Sequence, residues 1–194
     1  MSLLVRGRAA LVVIDVQEGF RSYDCFMGVA GACAKLLAAA RILDVPALVS
    51  EQYPKGLGHS APELQLHDEP RIEKTVFSAA RAEGFELGGA TRLARPGTGA
   101  HSRDGWVAGG GQAIVCGIET HVCVSQTVHD LLADGVEVHV PADAVGSRHR
   151  LDHERGLERL ERAGAVVTTV EAALFELLER AGTPEFKEVQ KLIL

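Results

Sequence analysis

Short apolar runs alternate along the chain with longer segments in which apolar residues recur every three or four positions. The runs that we interpret as buried strands are residues 9–14, 45–50, 71–77, 112–116, 136–140 and 165–168. The segments with helical spacing are residues 31–43, 120–135, 150–163 and 169–178, the last after a capping box at Thr168–Glu171. Strict alternation of strands and helices predicts an α/β fold with a doubly wound, mainly parallel sheet of six strands and helices on both faces.

The stretch QAIVCGIETHVCVS, residues 112–125, predicts a central strand that turns through Gly117 into a helix. We expect Thr120 to cap this helix and Gly135 to end it, which places Cys123 in the first turn. Free N–H groups and the partial positive charge of a helix start favour thiolate over thiol. Cys123 is therefore a candidate nucleophile, although most free cysteines are small buried apolar residues, and the helix position by itself leaves that alternative open.

Two further ionisable residues follow predicted strands. Asp15 comes directly after the first strand, and Lys74 lies in the third strand near the expected sheet edge. In open α/β sheets ligands bind beyond the carboxyl ends of the strands, so Asp15 is either a crevice residue or a simple turn cap. Taken together with Cys123, the carboxylate can accept a thiol proton and the ammonium can hold both anions in place.

Length and composition narrow the class of protein. The 194 residues suit a single domain over 1–194, with 46% hydrophobic and 24% charged residues. The net charge is −6 and basic residues are scattered except at 148–150, so no nucleic-acid partner is expected. The first apolar run ends at Asp15, too short for a signal peptide or a membrane span, and the four cysteines contain no C-x-x-C pair. We expect a cytoplasmic protein with reduced thiols and no membrane partner.

Motifs that resemble those of a known family are spread along nearly the whole chain. The segments VVIDVQ, EKTVFS, VCGIETHVCV and VHVPADAVGSR resemble the isochorismatase-like cysteine hydrolases, the superfamily that includes nicotinamidase and N-carbamoylsarcosine amidase. The segments EQYPKGLG, VTTVEAALFELL and PEFKEVQKLI are similar to the isochorismatase-domain-containing subgroup. The resemblance implies a Rossmann-like six-stranded sheet and a catalytic triad of Asp15, Lys74 and Cys123. It also implies a non-proline cis peptide between Ile118 and Glu119, with the N–H groups of Glu119 and Cys123 forming an oxyanion hole.

That resemblance implies hydrolysis of a small amide, carbamoyl or related acyl substrate through a thioester on Cys123. Nicotinamidases hold a metal through Asp-x-His and a further histidine after strand two, whereas this chain reads Glu51-Gln52-Tyr53 there. His59 alone would be a poor zinc site, so we predict no metal and no cofactor. The pairs His149 with His153 and His121 with His129 have similarly weak claims as ligands.

The expected pocket wall consists of Gln17, Phe20, Tyr53 and Phe77, although Phe20 and Phe77 are equally compatible with core positions. Cys25, Cys33 and Cys116 are expected to take no part in the chemistry. Residues 79–111 are the hardest to interpret, with possible helices around Ala79 and Thr91 before a glycine-rich stretch. The apolar residues of the tail FKEVQKLIL indicate docking on the chain's own domain or on a neighbour, and we expect a homo-oligomer.

Two other functions are compatible with the same residues. Cys123 could be oxidised reversibly as a redox thiol, but no resolving cysteine is evident. Alternatively, the crevice could bind a metabolite or a partner without catalysis. An acyl group on Cys123 would favour hydrolysis, whereas a sulfenate formed by dilute peroxide would favour redox chemistry.

Overall fold

A parallel sheet forms the centre of the protein in a computed structural model that describes residues 2–86 and 111–194. Its seven strands are β1 (Ala9–Ile14), β2 (Ala47–Gln52), β3 (Arg71–Lys74), β4 (Gln112–Ile118), β5 (Glu137–Pro141), β6 (Val145–Gly146) and β7 (Val166–Thr168). The order is β3-β2-β1-β4-β5-β7, and the short β6 pairs with the end of β4. The predicted doubly wound parallel sheet is confirmed, with the two-residue β6 added to the six strands expected.

Helices cover both faces of this sheet. They are α1 (Phe26–Ile42), α2 (Pro54–Leu57), α3 (Ser125–Ala133), α4 (Arg150–Ala163), α5 (Val170–Leu178) and α6 (Pro184–Ile193). Side chains of β1 alternate between the two faces, so Leu11 and Val13 pack with α1, α5 and α6. Val12 and Ile14 pack with α3 and α4 on the opposite face. The fully buried β1 therefore lies between two apolar cores, as its unbroken apolar sequence predicts.

Helices α1 and α5 begin at residues other than those predicted, α1 because apolar side chains before its predicted start are buried and α5 because the preceding strand still includes Thr168. Helix α1 begins at Phe26 rather than at Gly31, because Phe26 and Val29 are buried while the glycines of its first turns have open space around them. The capping box expected at Thr168 is wrong by one residue. Thr168 still pairs with β5, so the hydroxyl of Thr169 accepts the N–H of Ala172 and caps α5.

The carboxyl-terminal tail forms α6 and packs on its own domain. Val189 is fully buried, and the ring of Phe186 contacts that of Phe175 edge-on at 6.1 Å. A role for this tail in oligomer formation is thus not required, and the homo-oligomer stays a prediction. The possible helix around Thr91 and most of the glycine-rich stretch lie outside the described residues. In the part of the chain that is described, no helix has the length and apolarity needed to cross a membrane.

His139 is a buried ionisable residue remote from the carboxyl ends of the strands. It lies in β5 with 1% of its surface exposed, and neither ring nitrogen has a hydrogen-bond partner within residues 2–86 and 111–194. Burial lowers the pKa of His139, although Glu176 and Glu137 act in the opposite direction. The unfolded chain therefore binds this proton at higher pH than the folded protein does.

We expect this histidine to make the free energy of unfolding fall as the pH drops below about 6.5, by at most about 1.4 kcal/mol per pH unit. His139→Leu should remove that component, so the stability difference between the variant and the wild type should grow in favour of the variant from pH 7.5 to 5.5. Urea titrations at both values test this. A difference that stays constant with pH would contradict it.

Candidate active site

A buried ion pair joins the ends of β1 and β3. Asp15 follows β1 directly with φ of 52°, and Lys74 is the last residue of β3. Lys74 Nζ donates to Asp15 Oδ2 at 2.7 Å, and the side chains are 0% and 1% exposed. The two strands are not adjacent, but β2 lies between them, and its Ser50 donates to Asp15 Oδ1 at 2.6 Å.

All three N–H bonds of the Lys74 ammonium have acceptors. Besides Asp15, Lys74 Nζ donates to Gln52 Oε1 at 2.6 Å and to the carbonyl oxygen of Phe77 at 3.0 Å. A buried ion pair is stable only when its remaining donors and acceptors are satisfied, and Ser50 and Gln52 fill that role here. Sequence reasoning missed both residues. Their signal is period two along β2, which turns Ser50 and Gln52 to the same face of the strand.

Cys123 completes the cluster from the opposite side of β1. It is 4% exposed and lies in a widened, π-helical turn, Thr120–Val124, between β4 and α3. Burial, followed by the charge of Asp15, raises the pKa of Cys123 to about 12, while the charge of Lys74 acts in the opposite direction. The expectation that the helix start would favour thiolate is wrong, because burial and the adjacent carboxylate outweigh the helix end. At rest the residue is a neutral thiol beside a base.

The turn that carries Cys123 bends through left-handed backbone. Gly117 has φ of 127° and Glu119 has φ of 63° and ψ of 67°. No peptide bond in residues 2–86 and 111–194 is cis, so the cis bond expected between Ile118 and Glu119 is wrong. The left-handed residue redirects the chain instead, and the N–H groups of Val122 and Val124 both donate to the carbonyl oxygen of Glu119.

The cap assigned to Thr120 is also wrong. Its hydroxyl pairs with Nδ1 of His153 at 3.0 Å, and this contact joins the turn to α4. Gly156 of α4 lies so close to the turn that an added Cβ would be 3.0 Å from Thr120 Cγ2 and 3.2 Å from the backbone nitrogen of His121. His121 in turn pairs with the Ser147 hydroxyl at 3.0 Å through Nδ1.

The predicted pocket residues separate into two pairs. The Gln17 amide is occupied by backbone groups, since Nε2 donates to the carbonyl oxygens of Gln52 and Gly58 and Oε1 accepts the N–H of Gln52. Phe20 belongs to the apolar core, with its ring 5.3 Å from that of Tyr23. Tyr53 and Phe77 are 54% and 52% exposed. Both adjoin Lys74, since the Tyr53 N–H donates to the Lys74 carbonyl oxygen and the Phe77 carbonyl oxygen accepts from Lys74 Nζ. These two remain the candidates for substrate contact.

The residues at the end of β2 do not fit a metal. Glu51 is 3% exposed, and its two oxygens accept the Ser60 N–H at 2.7 Å, the Ser60 hydroxyl at 2.6 Å and His59 Nδ1 at 3.0 Å. Burial alone would raise the pKa of Glu51, but these hydrogen bonds and the nearby histidine lower it overall. Among the described residues no three His, Cys, Asp or Glu side chains are grouped to hold an ion. Glu51 instead fastens the 53–60 loop beside the site.

The other cysteines lie away from this cluster. Cys33 and Cys116 are fully buried between α1 and the sheet, and burial raises the pKa of Cys116 well above its ordinary value. Cys25 is partly buried, its thiol donates to the carbonyl oxygen of Ser147 at 3.3 Å, and burial also raises its pKa.

Comparisons with known proteins show which family this chain resembles. The chain is 37% identical over 187 residues to isochorismatase domain-containing protein 2 of Bos taurus, a match that covers 96% of this chain and 83% of that protein. It is 38% identical over 184 residues to isochorismatase domain-containing protein 2A of Mus musculus, with 94% and 81% covered. The structure of a protein named MAR1 ribonuclease from Caenorhabditis elegans superposes with a TM-score of 0.82 at 39% identity, over 99% of this chain and 92% of that one.

A family model described as the isochorismatase domain matches residues 9–172. That range runs from the first residue of β1 into α5, so it includes Asp15, Lys74 and Cys123. The resemblance found in the sequence motifs is therefore confirmed. On its sequence and on its sheet topology, this chain belongs to the isochorismatase-like hydrolase family.

Proposed function

We propose that the protein is a metal-independent cysteine hydrolase that cleaves a small amide, carbamoyl or related acyl compound through a thioester on Cys123. The observation that carries the proposal is Asp15, whose carboxylate pairs with the Lys74 ammonium and, after burial, does most to raise the pKa of the Cys123 thiol. A carboxylate held as an anion beside a protonated thiol is the arrangement that general-base activation of a nucleophile requires.

The proposed reaction begins with the neutral thiol. Asp15 accepts the proton as Cys123 Sγ bonds to the substrate's carbonyl carbon, and the C=O electron pair moves to oxygen. Because the thiol pKa is high, the proton leaves only as the C–S bond forms. Two N–H groups, those of Glu119 and Cys123, are proposed to stabilise the oxyanion, each by about 3 kcal/mol.

Collapse of the tetrahedral intermediate breaks the bond to the leaving nitrogen, which takes the proton back from Asp15. A water molecule then loses a proton to Asp15 as it attacks the thioester carbon. Collapse of this second tetrahedral intermediate breaks the C–S bond and releases the acid, and the proton passes from Asp15 to Cys123 Sγ. Lys74 stays protonated throughout, since its N–H bonds serve to fix Asp15, Gln52 and the loop after β3.

The ribonuclease name of the Caenorhabditis elegans relative raises a second possibility. RNA binding depends on clustered basic side chains that replace condensed counterions, whereas this chain has a net charge of −6 and scattered basic residues. The buried thiol is also suited to attack on an acyl carbon rather than to activation of a ribose hydroxyl. We therefore propose a small-molecule substrate. RNA is included in the test as the competing substrate.

The test is intact-protein mass spectrometry of wild type and Cys123→Ala after incubation with primary amides, carbamoyl compounds, activated esters and a mixed-sequence RNA. We expect an acyl adduct on wild type alone, with the mass of the acyl group lost by its substrate. Peptide mapping should place it on Cys123. Cleavage of RNA by both proteins without any adduct would overturn the proposal, and a sulfenate without an acyl adduct would favour redox chemistry.

A milder variant tests the contact between α4 and the turn that carries Cys123. In Gly156→Ala, the added methyl group must push Thr120 and the backbone of His121 by a few tenths of an ångström. We expect acylation of Cys123 to slow by about tenfold or more, because small misplacements of a nucleophile cost large factors in rate. Stopped-flow measurement of adduct formation tests this, with Gly31→Ala in open space on α1 as the control. Equal rates in the two variants would contradict it.

A further inference from the structure

Thr127 connects the turn that carries Cys123 to the loop that follows Lys74. It is fully buried in the first half of α3, one helical turn beyond Cys123. Its hydroxyl donates to the carbonyl oxygen of Cys123 at 2.7 Å and accepts the backbone N–H of Ala79 at 2.9 Å. A threonine hydroxyl that bonds only to the carbonyl four residues earlier is common in helices. The second hydrogen bond is to Ala79, 48 residues away in the chain, so the Thr127 hydroxyl links α3 to the loop that follows Lys74.

The segment that Thr127 holds is itself bound to the ion pair. Phe77, two residues before Ala79, offers its carbonyl oxygen to Lys74 Nζ at 3.0 Å, and Lys74 in turn donates to Asp15. Hydrogen bonds, together with the backbone between Phe77 and Ala79, therefore connect the carbonyl group of Cys123 to the carboxylate of Asp15. Among the described residues, no other side chain of α3 hydrogen-bonds to both halves of the site.

We propose that Thr127 is a positioning residue that holds Cys123 Sγ in register with Asp15 by fixing the nucleophile's backbone to the Lys74 loop. The proposal rests on the assignment of Cys123 as the proposed nucleophile and Asp15 as its base. Thr127 touches neither of their reacting atoms and acts through the backbone of Cys123. Loss of its hydroxyl frees the turn from the loop and leaves the buried Ala79 N–H without its acceptor.

Three substitutions separate this role from simple packing. Thr127→Val keeps the shape and removes the hydroxyl, whereas Thr127→Ser keeps the hydroxyl and removes the methyl group. Ala79→Pro breaks the link from the other end, because it removes the N–H donor and places the ring Cδ where the Thr127 hydroxyl lies. The backbone suits proline there, since Ala79 is the first residue of a 3-10 turn and Ser78 is already extended, with φ of −74° and ψ of 122°. Ser78→Ala is the matched control, since that buried hydroxyl has no hydrogen-bond partner in the described part of the chain.

We expect Thr127→Val and Ala79→Pro to slow acylation of Cys123 by about 10- to 100-fold with little change in KM. Thr127→Ser and Ser78→Ala should remain within about threefold of wild type. If Thr127→Val does not fold, the comparison of Ala79→Pro with Ser78→Ala decides the same question. Wild-type acylation in both link-breaking variants would overturn the proposal, as would an equal loss in Thr127→Ser, which would indicate packing by the methyl group.

Alkylation of Cys123 by iodoacetamide gives a readout that does not depend on hydrolase activity. Asp15 raises the Cys123 pKa more than Lys74 lowers it, so a looser contact should move the pH profile of alkylation to lower pH in Thr127→Val and leave it unchanged in Thr127→Ser. This shift without acylation of wild type by any substrate would support the positioning role and reject the proposed function. Unshifted profiles in Thr127→Val and Ala79→Pro would reject the positioning role even if wild type proves to be an amidase.

Discussion

Asp15→Asn is expected to lower turnover by about 10³-fold or more while making Cys123 more reactive toward iodoacetamide. The amide can accept neither the thiol proton nor that of the deacylating water, so both proposed half-reactions lose their base. The same change removes the negative charge that, after burial, does most to raise the pKa of Cys123. The pH profile of alkylation should therefore move to lower pH as catalysis disappears.

The fold should survive this substitution with reduced stability. Lys74 keeps Gln52 Oε1, the carbonyl oxygen of Phe77 and the amide oxygen of Asn at position 15 as acceptors, although loss of one partner of a buried ion pair is costly, at about 3 kcal/mol. Ser50→Ala is the matched control, because it removes one hydrogen bond to Asp15 and leaves the carboxylate in place. We expect that control to retain turnover within about tenfold.

Measurement of turnover and of mapped Cys123 alkylation on the same preparations checks both halves of this prediction. Near-normal turnover in Asp15→Asn would show that another group deprotonates the thiol. Slower alkylation in that variant would show that Asp15 promotes the thiolate at rest, contrary to the high pKa of Cys123.

The elements that sequence predicted well are those in which local pattern and tertiary environment agree. The bounds of β1 and of α4 were both predicted correctly. The apolar run of β1 and the charged amphipathic pattern of α4 each have a clear start and a clear end. The three candidate residues were found for a related reason. Carboxyl ends of parallel strands meet at one edge of a sheet, so Asp15 and Lys74 had to come near the start of the helix after β4.

The features that sequence could not provide depend on contacts between distant segments. The protonation state of Cys123 follows from its burial and its distance from a carboxylate more than 100 positions earlier, neither of which helix spacing reports. Ser50, Gln52 and Thr127 look like ordinary polar residues until the strand order and the 78–79 backbone bring their partners within reach. The path through Glu119 was likewise assigned a cis bond, whereas positive φ angles at Gly117 and Glu119 bend the chain.

Gly117 shows how closely the strands β1 and β4 approach each other. It pairs with Ile14, the residue before Asp15, in the β1–β4 register, and its φ of 127° is accessible almost only to glycine. A Cβ at this position would lie 2.0 Å from the carbonyl oxygen of Ile14 and 2.7 Å from its carbonyl carbon. Both contacts are with backbone, so no side-chain rotation can relieve them.

We expect Gly117→Ala to lower the free energy of unfolding by more than about 4 kcal/mol, since it combines a backbone clash with a forbidden φ in the centre of the sheet. Urea denaturation followed by circular dichroism is the measurement, with insoluble expression as the extreme form of the same result. Gly31→Ala supplies the control: that glycine lies inside α1 with nothing within 4 Å of an added Cβ, and alanine there should stabilise by about 0.5–1 kcal/mol. A Gly117→Ala protein within about 1 kcal/mol of wild type would mean that β1 and β4 can separate without loss of the fold, in which case the register between Asp15 and Cys123 is set by the helices and not by the sheet.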